Sequence, residues 1–148
     1  MTAKRPTASA QPTFREIEHT ADLGIEVTAA DLFSLLATAG QALYSLIADP
    51  SSIEIAEEVK VATSADTTEE LLHAWLCELL ALFNVQGIVG KRCVVTKITN
   101  GRVEGLVQGD KLDLNRHAFR TEIKGVTYHN FKVWQKDGLW YARVIFDV

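Results

Sequence analysis

The sequence predicts an α+β fold: two helices packed on a mixed or antiparallel β-sheet, in one two-layer domain. Two stretches carry apolar residues at helical spacing between capping signals, strand-like alternation fills the start and the last third of the chain, and Asn-Gly and Asp-Gly dipeptides mark hairpin turns.

The elements follow in order. Alternation from Phe14 to His19 and from Leu23 to Thr28 predicts two short strands, with Leu23, Ile25 and Val27 on one face and Asp22, Gly24 and Glu26 on the other. Asp31 is placed to cap a helix whose apolar positions, from Leu32 through Leu36, Ala39 and Leu43 to Ile47, recur until Asp49-Pro50 stops it. Ile53, Ile55, Val59 and Val61, with charged residues between them, predict a third strand. Thr67-x-x-Glu70 reads as a capping box opening a second, central helix, apolar on nearly every side and ended by Gly87.

From Ile88 onward the chain reads as β-hairpins with turns at Asn100-Gly101 and Asp137-Gly138, interrupted by an irregular stretch from Asp110 to Arg120. Thr121 to Asn130 is expected as a strand, with Lys124, Val126, Tyr128 and Asn130 on one face and His129 on the other. No repeat or linker divides residues 14–148. Met1 to Thr13, basic but lacking an apolar stretch, is expected to be a disordered N-terminal tail without a secretory signal.

Composition narrows the function classes. With 148 residues, 47% hydrophobic and 23% charged, the chain is the size and balance of one globular domain. The net charge of −4 and pI near 5.5 argue against a broad phosphate-tracking surface, so any RNA is expected to be held by a partner. Cys77 and Cys93 make no disulfide framework or CxxC pair, which reads as reduced thiols and a cytoplasmic location. No run of about 18 apolar residues predicts a membrane span.

Familiar catalytic patterns are absent from the sequence. It has no GxSxG elbow, no GxxxxGK[ST] and no GxGxxG, and His19, His117 and His129 have no cysteine nucleophile in an evident pairing. His73 and Cys77 share a helix face, but two ligands do not make a zinc site, and both read as packing residues. His117 beside Arg116 reads as a solvated loop pair.

Two acids stand out. Asp22 lies at the junction of the first two strands, where it serves either as a turn aspartate or as a fixed, solvated carboxylate. The chain closes Val144-Ile145-Phe146-Asp147-Val148 with no polar tail, which places Asp147 beside the Val148 carboxylate at one strand end. Asp22 meeting that end would suit a hard divalent cation, which favours clustered carboxylate, carbonyl and water oxygens; ordinary solvated acids are the competing reading. Lys124 suits a phosphate or a partner's acidic group, or is a solvated strand lysine.

Four pieces in order resemble the archease family: Glu18-His19-Thr20-Ala21-Asp22-Leu23-Gly24-Ile25, Glu70-Leu71-Leu72 running into Trp75-Leu76-x-Glu78-Leu79-Leu80, Glu122-Ile123-Lys124-x-Val126-Thr127-Tyr128-His129, and the closing Val144 to Val148. The likeness spans Phe14 to Val148. One departure is Gly125, where many archeases carry alanine. The resemblance implies an accessory protein, not an enzyme, that promotes guanylylation and repeated turnover of an RtcB-type RNA-splicing ligase using GTP and Mn²⁺ in tRNA splicing. It further implies a divalent cation, Ca²⁺ first and Mn²⁺ or Mg²⁺ as alternatives, on Asp22, Asp147 and Val148. Lys124, with His19 and His129, would then face the ligase or its nucleotide. A modulator of a tRNA-modifying enzyme and a metal-dependent phosphoesterase are the rival readings.

Overall fold

The computed structural model describes residues 11–19 and 22–148, with the main chain alone for Glu18 and His19. The tail expected at residues 1–13 therefore falls largely outside the described residues. The first strands are where alternation puts them: β1 (Thr13–His19) pairs antiparallel with β2 (Asp22–Ala29). Helix α1 (Leu32–Ile47) follows, its first turn fixed by an Asp31 carboxylate that accepts from the Ser34 amide at 2.8 Å.

A correction falls on Ile53 and Ile55, which lie outside the third strand. Asp49 caps a short 3-10 turn (Pro50–Ser52), after which Ile53 plugs into the core from the loop and Ile55 stays half exposed. Strand β3 begins later, at Glu57–Ser64. Alternation cannot distinguish a lone buried plug from the first residue of a strand.

Helix α2 (Thr68–Gln86) starts where the capping signal indicates. The Thr67 hydroxyl oxygen accepts from the Glu70 amide at 3.1 Å and its proton goes to the Glu70 carboxylate at 2.9 Å. Gly87 ends the helix at φ +72°, a left-handed conformation that a side chain would strain. Strands β4 (Ile88–Thr99) and β5 (Arg102–Lys111) form a hairpin, as do β7 (Lys132–Lys136) and β8 (Leu139–Asp147). Both two-residue turns have positive φ at each position, 52° and 74° at Asn100-Gly101 and 53° and 77° at Asp137-Gly138, as tight hairpins require.

The α+β class with two helices is what the structure has, but the strands form two antiparallel sheets where one was expected. The first runs β1-β2-β8-β6, with β6 (Gly125–Val126) followed on the same edge of β8 by β7; the second runs β3-β5-β4. Helix α1 packs on β2 of one sheet and β4 of the other, and α2 touches both sheets as well. One contiguous core results, with Trp75, Tyr44 and Phe146 among its largest fully buried side chains. No helix among the described residues is long and apolar enough to cross a membrane.

The stretch expected as a strand from Thr121 to Asn130 pairs only at Gly125–Val126. Beyond it the edge of β8 is taken by β7 from Arg143 onward, so the chain peels away. Thr127 closes on Ile145 through both its amide and its hydroxyl, at 3.0 and 2.9 Å, and Asn130 turns at φ +52°. Tyr128 lies flat on His73 of α2, ring centres 3.8 Å apart, and Phe131 meets the same imidazole edge-on.

Candidate metal centre

Sequence placed Asp22 and Asp147 at two strand ends; topology puts those ends together. Strand β8 inserts beside β2 in antiparallel register, and Asp22 is the direct partner of Asp147. Directly opposed residues share a face with Cβ atoms about 5 Å apart, so two carboxylates that are 125 positions apart in sequence meet side by side. Asp147 is exposed and Asp22 half-buried, a setting that fixes them without stripping their water.

The other edge of β8 adds the lysine segment. Gly125 pairs with Asp147, and the Lys124 amide donates to the Asp147 carbonyl oxygen at 2.7 Å. Lys124 is thus tied to the site by its main chain, its side chain exposed at the rim. Gly125 is the residue in register on the carboxylate side, and a Cβ built there meets nothing within 4 Å, so an alanine would fit without strain. Val148, half-buried against the core, follows Asp147 directly at the end of β8.

Of the two histidine candidates, one is in register with the acid pair and the other lies beyond the paired segment. The main chain of His19 pairs with Asp22 across β1 and β2, while its side chain, with Thr20 and Ala21, lies outside the described residues. His129 follows the lysine segment in the turn at 129–130; its amide donates to the Thr127 hydroxyl oxygen at 3.2 Å and its Nε2 accepts from the Asn130 amide at 3.3 Å.

A third residue that sequence reasoning assigned only to packing anchors this segment. His73 Nε2 donates to the Val126 carbonyl at 3.0 Å, which leaves Nδ1 to accept from the Cys77 thiol at 3.6 Å. The i,i+4 spacing correctly put His73 and Cys77 on one face, but nothing local showed that their shared object is the strand beside Asp147. Burial raises the Cys77 thiol above its ordinary pKa, and pushes Cys93 up to about 12, so neither is an activated nucleophile.

His117 requires a correction: it is buried, not solvated. Its Nδ1 accepts from the Asp113 amide at 2.9 Å, and Arg116 binds Asp110 and Asp113 at 3.1 and 3.0 Å. These bonds close the loop on itself, while the buried His117 Nε2 makes no hydrogen bond, with Asp110 Oδ2 lying 3.6 Å away.

Among the described side chains the donors at the β8 end are oxygens, which suit a hard cation. Among the described residues no group of three or more His, Cys, Asp or Glu side chains gathers, so two carboxylates would supply the charge and main-chain oxygens and water the remaining positions. Like charges directly opposed across strands are unfavourable, and a bound cation removes that cost.

Fold and site together define a small α+β protein that presents facing carboxylates at the end of an open sheet. A profile of the archease protein family matches residues 14–148, and the chain belongs to that family. It is 38% identical to the protein archease of Methanopyrus kandleri, over 91% of this chain and 99% of that one, and 30% identical to that of Sulfolobus acidocaldarius over 91% and 98%. The solution structure of a Methanobacterium thermoautotrophicum protein superposes with a TM-score of 0.81 at 30% identity, covering 91% and 98% of the two chains. A Thermotoga maritima archease, described as a possible chaperone, shares the fold at 21% identity, TM-score 0.64, over 90% and 96%.

Proposed function

We propose that this protein is a metal-dependent accessory factor of an RtcB-type RNA-splicing ligase, promoting the ligase's guanylylation and its repeated turnover. Asp22, Asp147 and a Val148 main-chain oxygen hold a divalent cation, Ca²⁺ first with Mn²⁺ or Mg²⁺ as alternatives, and Lys124 with His19 and His129 meets the ligase or its nucleotide. The observation that carries this reading is the register of Asp22 against Asp147. It brings together the residues to which the family likeness assigns the ion, from positions that have no local reason to meet.

The cation supplies a concentrated positive charge for a partner's anionic groups. The chain's own residues do the rest: the two carboxylates fix where that charge sits, and the Lys124 amide bond to Asp147 holds the lysine at the rim.

Guanylylation of the ligase with GTP at limiting Mn²⁺ tests the proposal. Wild-type protein is expected to accelerate it, Asp22→Ala and Asp147→Ala to abolish the stimulation while melting as the wild type does without metal, and calorimetry to show cation binding lost in both. Full stimulation by the two variants would sink the assignment. Turnover of GTP or RNA by the protein alone would favour the enzyme reading, and stimulation of a tRNA-modifying enzyme without any effect on the ligase would favour the chaperone-like one.

A further inference from the structure

The acid pair occupies only one row of the open face of the five-stranded sheet. Two rows on, Arg15 of β1, Glu26 of β2, Arg143 of β8 and Lys132 of β7 stand in register; in the next row Tyr141 of β8 faces Trp134 of β7. The two rings stack, centres 5.3 Å apart and 11° from parallel, and the Lys132 ammonium lies 5.2 Å from the Trp134 ring. Beside Tyr141 a depression of about 320 Å³ is bounded by Phe14, Arg15, Glu26 and Thr28.

We propose that this face binds single-stranded nucleic acid, a base entering the depression against Tyr141 while Arg15, Arg143 and Lys132 take the phosphates. The inference goes beyond the accessory role and does not depend on the metal. Charge distribution is the first argument. In a chain of net charge −4, the middle of this face gathers Arg15, Arg143, Lys132 and Lys136 against the carboxylate of Glu26, with Glu69 at the β7 edge beside Lys132 and Arg143. Composition argued against a broad cationic surface; what the fold builds is a narrow one.

The second argument is chemical. Arg143 spends Nε and one terminal nitrogen on Glu26, at 3.0 and 2.6 Å, and Arg15 shares the same carboxylate, so both guanidinium groups keep N–H donors on the solvent side. Their side chains are 44% and 72% exposed, well placed for an anion from outside. A cross-strand aromatic pair by itself stabilises a hairpin, but that role does not call for cations in the adjoining row. Ring faces among cations are the combination that single strands use, with bases stacked and phosphates neutralised. An acidic peptide would need the cations and not the rings.

The test uses the whole protein alone, in EDTA and low salt, with a fluorescently labelled single-stranded oligoribonucleotide about ten bases long. Anisotropy is expected to rise on binding, to fall again with added salt, and to respond much less to a duplex of the same sequence. Tyr141→Leu is expected to weaken binding about tenfold and Tyr141→Phe to retain it, because the stacking surface and not the hydroxyl is used. Lys132→Glu should weaken it without moving the melting temperature. Equal binding of duplex and single strand, wild-type binding by Tyr141→Leu, or no binding at low salt would each overturn the proposal; in the last case, capture of an acidic peptide by the same face would identify a protein partner instead.

Discussion

The two sheets treat their solvent faces differently. On the three-stranded sheet opposite charges are interspersed: Gln108 links Glu58 and Arg92 at 2.8 and 3.5 Å, and Arg102 pairs with Glu104 at 3.2 Å. These four charges each have a neighbour of the other sign or a neutral bridge, the pattern of a solvated wall. The five-stranded sheet instead separates its groups, acids opposed at one end, cations across the middle, aromatics beyond. Uncompensated arrangement of like groups costs stability. Like charges directly opposed, Asp22 with Asp147 and Arg143 with Lys132, occur on the five-stranded sheet, which is why the proposed sites are placed there.

The largest effect should come from the residue both sheets depend on. Trp75 is fully buried and donates its indole N–H to the Leu36 carbonyl at 3.0 Å, joining α2 to α1. Trp75→Ala is expected to cost about 3–5 kcal/mol in urea unfolding, a large part of a small domain's stability. Both faces should be lost together; a folded variant retaining cation binding would show that the five-stranded sheet stands without the helical layer.

A pair of alanine substitutions sharpens the contrast. At Gly105 on β5 a Cβ would press into the Val94 carbonyl oxygen and lie 2.8 Å from the Trp75 ring, so Gly105→Ala is expected to destabilise by about 1–3 kcal/mol. At Gly125, where the added methyl meets open space, Gly125→Ala should stay within about 0.5 kcal/mol and leave the carboxylate row intact. Equal costs at the two positions, measured by the same unfolding titration, would mean that the sheets do not differ in how tightly they are packed.

Much of this was legible before the structure, and the reasons differ by element. The hairpin turns and both helix starts rest on local chemistry, namely positive φ at Asn100-Gly101 and Asp137-Gly138 and side-chain caps at Asp31 and Thr67, and all four were read correctly. Ile53 was misread because its burial comes from a loop entering the core. The split into two sheets was hidden because pairing partners are not encoded in any one strand's alternation. Asp22 and Asp147 were recognisable as acids at strand ends, but their meeting depends on β8 inserting next to β2, a long-range event. His73 was harder still: its role lies in a carbonyl 53 residues away, at Val126, and nothing around it in sequence points there.

A substitution in the cationic row probes that row itself. The Glu26 carboxyl is held below its ordinary pKa chiefly by the hydrogen bonds from Arg143, with Arg15 adding to this and burial opposing it. A carboxylate whose folded pKa is lowered contributes stability that is present above the unfolded pKa, here 4.5, and disappears as pH falls through the lower folded value. Glu26→Gln should therefore be less stable than wild type near neutral pH, by less than about 1 kcal/mol because the arginines are solvent-exposed. The two stability curves should converge on acidification below the ordinary glutamate range. The same substitution frees both guanidinium groups, so it should tighten oligonucleotide binding at low salt while stability declines. If binding weakened instead, Glu26 would be orienting the arginines for their ligand, and the row would have to be read as a built anion site whose carboxylate is part of the design.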